Sequence, residues 1–168
     1  MKLLPFIFLL VAASPVCLAQ TPTQKSPPLG IEISAQNRTE LASALAQFQA
    51  DLKEFAASGK LPPALADRLP DVEIFSIAVQ RALEWNQFYD LKQIPAAAAL
   101  LKEGRARLDA LKAGETPWTK TKGLVVRGFR SRIDNSVQPY GIIVPEDFPT
   151  KPARLDVWLH GRNDKLTE

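Results

Sequence analysis

The sequence predicts an α/β protein in which a helical segment precedes the first strands of a sheet. Three observations lead there. Apolar residues recur at steps of three and four between Leu41 and Leu111, the period of a helix face. After Pro117-Trp118 that period gives way to short runs rich in Val, Leu, Ile and Phe, the composition of strands. Of the 168 residues, 46% are hydrophobic and 23% charged, which suits a globular protein and excludes collagen-like, disulfide-scaffold and wholly disordered classes.

The chain opens with Met1-Lys2, a short positive region, followed by the apolar run Leu3–Val11. Cys17-Leu18-Ala19 then places small residues at −3 and −1 before Gln20. This is the pattern of an export signal over residues 1–19. The run is shorter than the roughly 20 residues a bilayer crossing needs. The expectation is therefore an exported protein, periplasmic or extracellular, with no membrane contact after signal cleavage. Ser14-Pro15-Val16 lacks the small residue that precedes a lipidated cysteine. Cleavage removes Cys17, the only cysteine, and with it disulfide and thiolate chemistry. Residues 20–36 carry Pro22, Pro27, Pro28 and Gly30 among polar residues and read as a Pro-rich linker.

Residues 37–115 read as a helical accessory region. Asn37 and Glu40 have the spacing of a capping box, and Leu41, Leu45, Phe48, Leu52 and Phe55 line one face of a helix ending near Gly59. Leu61-Pro62-Pro63 and Pro70 leave room only for a turn or a short helix. Asp71 then caps a second helix running to about Tyr89. Its polar residues Glu73, Ser76, Gln80, Glu84 and Gln87 form a narrow stripe, and the rest is apolar. Such a helix belongs between neighbours. Pro95 opens a third helix, with Ala97, Leu101, Gly104, Leu108 and Leu111 on one face and an end near Gly114. No period of 20–50 residues repeats, so a helical array is excluded.

Residues 118–168 read as the start of a sheet domain. Gly123–Ser131 and Gln138–Val144 are strands joined through the turn cluster Asp134-Asn135-Ser136, an antiparallel hairpin. Arg154–Leu159 is expected as a third strand, ended by His160-Gly161.

Charge and motifs exclude more than they assign. Lys+Arg number 21 against 18 Asp+Glu, and the basic residues are interleaved with acids, so no nucleic-acid footprint is present. G-x-S-x-G, H-E-x-x-H, a P-loop and a dinucleotide fingerprint are all missing from the sequence. With one histidine and no mature cysteine, a zinc site built from His and Cys is impossible, and no cofactor is expected. The sharpest feature is Leu155-Asp156-Val157-Trp158-Leu159-His160-Gly161-Arg162. A strand ending in His-Gly turns sharply, glycine lets the backbone approach a ligand, and the following amides can face a developing oxyanion.

From about Asp71 to Thr167 the chain resembles the front of secreted bacterial α/β-hydrolases of the prolyl-oligopeptidase-like or esterase-like serine hydrolase type. The resemblance is carried by Pro117-Trp118, Gly123–Ser131, Ser136–Pro145 and Arg154–Arg162. It implies that the strands begin an α/β-hydrolase sheet. It further implies that Gly161 and Arg162 belong to an oxyanion-hole loop, with Arg162 as amide donor, Gly161 permitting the turn and His160 in a structural role. Asn163 stands where that pattern has a second small residue. The same resemblance puts the nucleophile elbow, the acidic partner and the catalytic histidine beyond Glu168. The expectation is thus an N-terminal fragment of an exported hydrolase, inactive as the isolated chain, whose parent acts on a peptide or ester substrate. The alternative is a small exported binding or interaction protein with helical and hairpin parts.

Overall fold

A computed structural model describes residues 29–59, 61–147 and 154–159. Within them the order is α1 (Ala35–Ala57), a short 3₁₀ turn (Pro63–Arg68), α2 (Pro70–Glu84), α3 (Gln93–Lys112), a second 3₁₀ turn (Pro117–Lys120), β1 (Gly123–Arg130) and β2 (Val137–Val144). The two strands are antiparallel neighbours, with Gly123 opposite Val144 and Arg130 opposite Val137.

The α/β expectation is corrected by this architecture. Among the described residues, three helices and one two-stranded hairpin make a small helix-rich fold, not the start of an α/β-hydrolase sheet. On one side the hairpin is closed at the outer edge of β1. Val126 and Gly128 direct their main-chain groups away from β2, toward side chains of α2 and α3 instead of another strand. Residues 154–159 form no strand, and Leu155, Val157, Trp158 and Leu159 are all exposed. The apolar content of the segment is that of a strand, but among the described residues no strand lies beside it to complete a ladder.

The helices follow their apolar periodicity. Leu41, Leu45, Phe48, Leu52 and Phe55 are all buried on α1, and Ala97, Leu101, Gly104, Leu108 and Leu111 on α3. α2 packs against α1, α3 and both strands, as a helix wetted along a single stripe must. Gly104 brings these layers together. A β-carbon there would stand 2.6 Å from Phe48 Cζ and 2.9 Å from Phe75 Cβ, so only hydrogen fits where α3 crosses the aromatic rings.

The ends of the helices depart from expectation in ways that local chemistry explains. Ser34, not Asn37, caps α1, its hydroxyl accepting from the Asn37 amide at 3.2 Å; the cap lies one turn earlier than the Asn37–Glu40 pairing suggested. α2 stops at Glu84, not near Tyr89. Asn86 adopts a left-handed φ of 50°, and the Gln87 amide returns to the Ala82 carbonyl at 2.9 Å. That is a Schellman ending with asparagine in the place glycine usually takes. Apolar periodicity continues to Phe88 only because Phe88 is buried beyond the helix. The segment before α1 crosses this corner. Ile31 donates its amide to the Phe88 carbonyl at 2.6 Å, and Arg38 reaches the Leu83 carbonyl at 3.0 Å and Asn86 Oδ1 at 2.9 Å.

Candidate functional site

His160, Gly161 and Arg162, the residues singled out for an oxyanion loop, lie outside the described residues, and so does the expected signal. The described part of Arg154–Leu159 leads toward that loop without contacting the helices or the hairpin through any buried side chain.

The densest polar cluster is one that sequence reasoning treated as a helix cap. Asp71 does not cap α2; it is fully buried at its first turn. Its carboxylate accepts the Gly128 amide at 2.8 Å and the Trp118 indole N–H at 2.9 Å. Arg127 completes the shell, with Nη2 at 3.2 Å from Oδ2. Above it, Arg107 donates to the Val126 carbonyl at 2.8 Å, to the Asp71 carbonyl at 3.2 Å and to Glu103 at 2.9 Å. The Arg107 guanidinium also stacks 4.7 Å from the Phe75 ring centroid and 5.2 Å from that of Trp118.

Every acceptor and donor here is satisfied, and no buried side-chain polar atom among the described residues lacks a partner. The Asp71 carboxylate is committed to three groups, Gly128 and Arg127 on β1 and Trp118 on the turn before it, and ties them to α2. Together Asp71 and Arg107 cover the outer edge of β1, the edge at which sheets otherwise recruit further strands. One signal for this existed in the sequence. Asp71 falls off the polar stripe of α2, among its apolar positions, where an acid must be paired or hydrogen-bonded to be tolerated.

No protein-family model, curated protein or solved structure matches the chain.

Among the described residues, two open depressions and one exposed face stand out. A groove of about 810 Å³ runs between α1 and α3, floored by Leu41, Ala44, Ile94 and Ala98 and flanked by Glu40 and Lys102. A cleft of about 320 Å³ lies beside the hairpin, between Trp118, Val125, Ile142 and Val144, with Lys120 and Lys122 at its mouth. The opposite hairpin face exposes Leu124, Val126 and Ile143. Among the described residues no three His, Cys, Asp or Glu side chains converge to hold a metal ion, and no helix is long and apolar enough to cross a membrane.

At the hairpin turn, Asp134 is held below the usual carboxylate range, chiefly by the Ser136 hydroxyl and next by that of Ser131. The Ser136 hydroxyl lies 2.7 Å from Asp134 Oδ1. This is an Asx-type turn stabilising its own charge.

Proposed function

We propose that this chain is the N-terminal portion of an exported serine hydrolase, a peptidase or esterase that works by acyl transfer through an oxyanion hole. The serine nucleophile would come from residues outside this sequence. The observation that carries the reading is the run Leu155–Arg162, in which an apolar stretch leads into His-Gly-Arg. Leu155, Val157, Trp158 and Leu159 are exposed, four large apolar side chains of a kind that rarely stand together in water without a partner. In this role the Arg162 amide donates to the oxyanion, Gly161 lets the backbone turn toward the substrate, and His160 braces the loop. A single such donor is worth about 10²–10³ in rate.

A second reading, a small exported binding protein, has one observation of its own. The Asp71 cluster makes the helices and hairpin a unit with its β1 edge already closed, while Leu124, Val126 and Ile143 stay open for a partner.

Treating the natural secreted protein with a fluorophosphonate probe separates them. The hydrolase reading expects a covalent serine adduct, with turnover falling about 10²–10³-fold in Gly161→Val. Absence of any adduct, or full turnover in Gly161→Val, defeats the hydrolase reading or its oxyanion loop respectively.

A further inference from the structure

Among the described residues nothing covers the outer edge of β2, in contrast to that of β1, and its chemistry selects what can lie on it. Because Val126 and Gly128 turn their main-chain groups away from β2, their neighbours Val125, Arg127 and Phe129 are the ones that bond across the ladder. In the observed register Val126 stands opposite Gly141, Gly128 opposite Pro139 and Leu124 opposite Ile143. Pro139, Gly141 and Ile143 therefore direct their main-chain groups to the free edge. Pro139 has no N–H to offer, and Pro145, two residues past Ile143, has none either. The usable edge is bounded by prolines on both sides and centred on Ile142.

We infer that a second copy of this chain pairs with the first along β2, antiparallel, about a two-fold axis at Ile142. In that register Gly141 faces Ile143 of the second copy, and the two exchange main-chain hydrogen bonds. Pro139 faces Pro145 of the second copy, neither offers an N–H, and the ladder between the copies therefore ends there, after the Gly141–Ile143 exchanges. The side chains agree with this pairing. Leu124 already leans over Gly141, its Cδ1 3.4 Å from where a β-carbon would be. Ile143 of the second copy enters beside it. Leu124 and Ile143, 71% and 77% exposed, then cover their counterparts across the axis. On the other face Tyr140 of the second copy comes opposite Val144, at the mouth of the cleft formed with Trp118 and Ile142.

Charge points the same way. Residues 137–145 carry no charge, so an edge meeting itself suffers no like-charge repulsion. An antiparallel two-fold also sets the open end of one hairpin beside the turn of the other. Glu146 and Asp147 stand at the open end and Arg132 at the turn, and Arg132 makes no ion pair among the described residues. The contact is isologous and closes on itself, which limits it to two copies.

The test is the solution mass of the full chain with Cys17→Ser, by light scattering, together with a cysteine placed on the axis. The expected results are a doubled mass, return to a single-chain mass with Ile143→Lys, and rapid disulfide formation by Ile142→Cys. Residues facing one another in a non-hydrogen-bonded pair lie about 4.5 Å apart at Cα, within disulfide reach. Circular dichroism of Ile143→Lys, a change at an exposed position, confirms that its fold is retained. A single-chain mass for the parent overturns the inference and leaves the edge to a different polypeptide. A doubled mass without the Ile142→Cys disulfide overturns it equally, by placing the contact elsewhere. Either result leaves the hydrolase reading untouched, since that is decided by the covalent serine adduct.

Discussion

Trp118 donates its indole N–H to the Asp71 carboxylate at 2.9 Å, with both side chains closed to solvent. This one bond links the 3₁₀ turn before the hairpin to the first turn of α2, across 47 residues of chain. The carboxylate that receives it also receives the Gly128 amide and Arg127, so three of the bonds that tie the hairpin and the turn before it to the helices converge on one buried side chain.

Replacing Asp71 by Ala is expected to cost about 3–5 kcal/mol, because Arg127 and two N–H donors lose their acceptor without regaining water. Asp71→Asn keeps a single acceptor oxygen and costs less than Asp71→Ala. Urea unfolding of the two variants measures the ordering, and equal midpoints for Asp71→Ala and the parent would sink the claim.

Gly128→Val is expected to pry α2 from β1. A β-carbon at Gly128 would overlap the Pro70 carbonyl oxygen and press on Ile74, and neither neighbour can step aside, since one is main chain and the other core. Overpacking of this kind costs about 1–3 kcal/mol. Amide exchange should quicken at residues 123–130 while the α1–α3 contact keeps its protection.

Gly104→Ala sets two effects against each other. Alanine in a helix interior is favoured over glycine by about 1 kcal/mol, whereas its methyl would stand 2.6 Å from Phe48 Cζ and 2.9 Å from Phe75 Cβ. Phe48 is fully buried and has nowhere to swing, so the packing penalty of about 1–3 kcal/mol wins. Thermal unfolding should show a lower Tm; a higher one would mean that the rings yield.

The turn should loosen in acid. The folded-state Asp134 carboxyl lies below its ordinary value because the Ser136 and Ser131 hydroxyls favour its charge. Its contribution is therefore present above about pH 4, the unfolded range, and is lost as pH falls through the lowered folded value. NMR shifts of Ser131 and Ser136 should follow that titration, and Asp134→Asn should abolish it.

How far the sequence disclosed all this varies with the range of the interaction. Spacing alone located the apolar faces of α1 and α3, since each face is written in residues three and four apart. The hairpin was legible for the same reason, through Asp134-Asn135-Ser136 and its flanking runs. The end of α2 was not, because Phe88 continues the apolar period although the chain has already turned at Asn86. The partners of Asp71 lie 47 to 57 residues away, and no local rule connects them. The apolar content of Leu155–Leu159 misled for a similar reason: it reports that a segment can pair, not that a partner strand lies beside it, and among the described residues none does. The oxyanion candidates Gly161 and Arg162 rest on sequence alone.

The crossing of residues 29–34 over the end of α2 has a mechanical meaning. A pull on the chain ahead of Leu29 meets the Ile31–Phe88 main-chain bond before it reaches the tip of α1. At that tip the fork of Arg38 passes it on into Leu83 and Asn86. Those residues belong to the junction of α2 with α3, so the load is shared by three helices before any one of them can unravel. The strap thus works as strain relief, isolating the core from whatever tugs at the leading end of the chain.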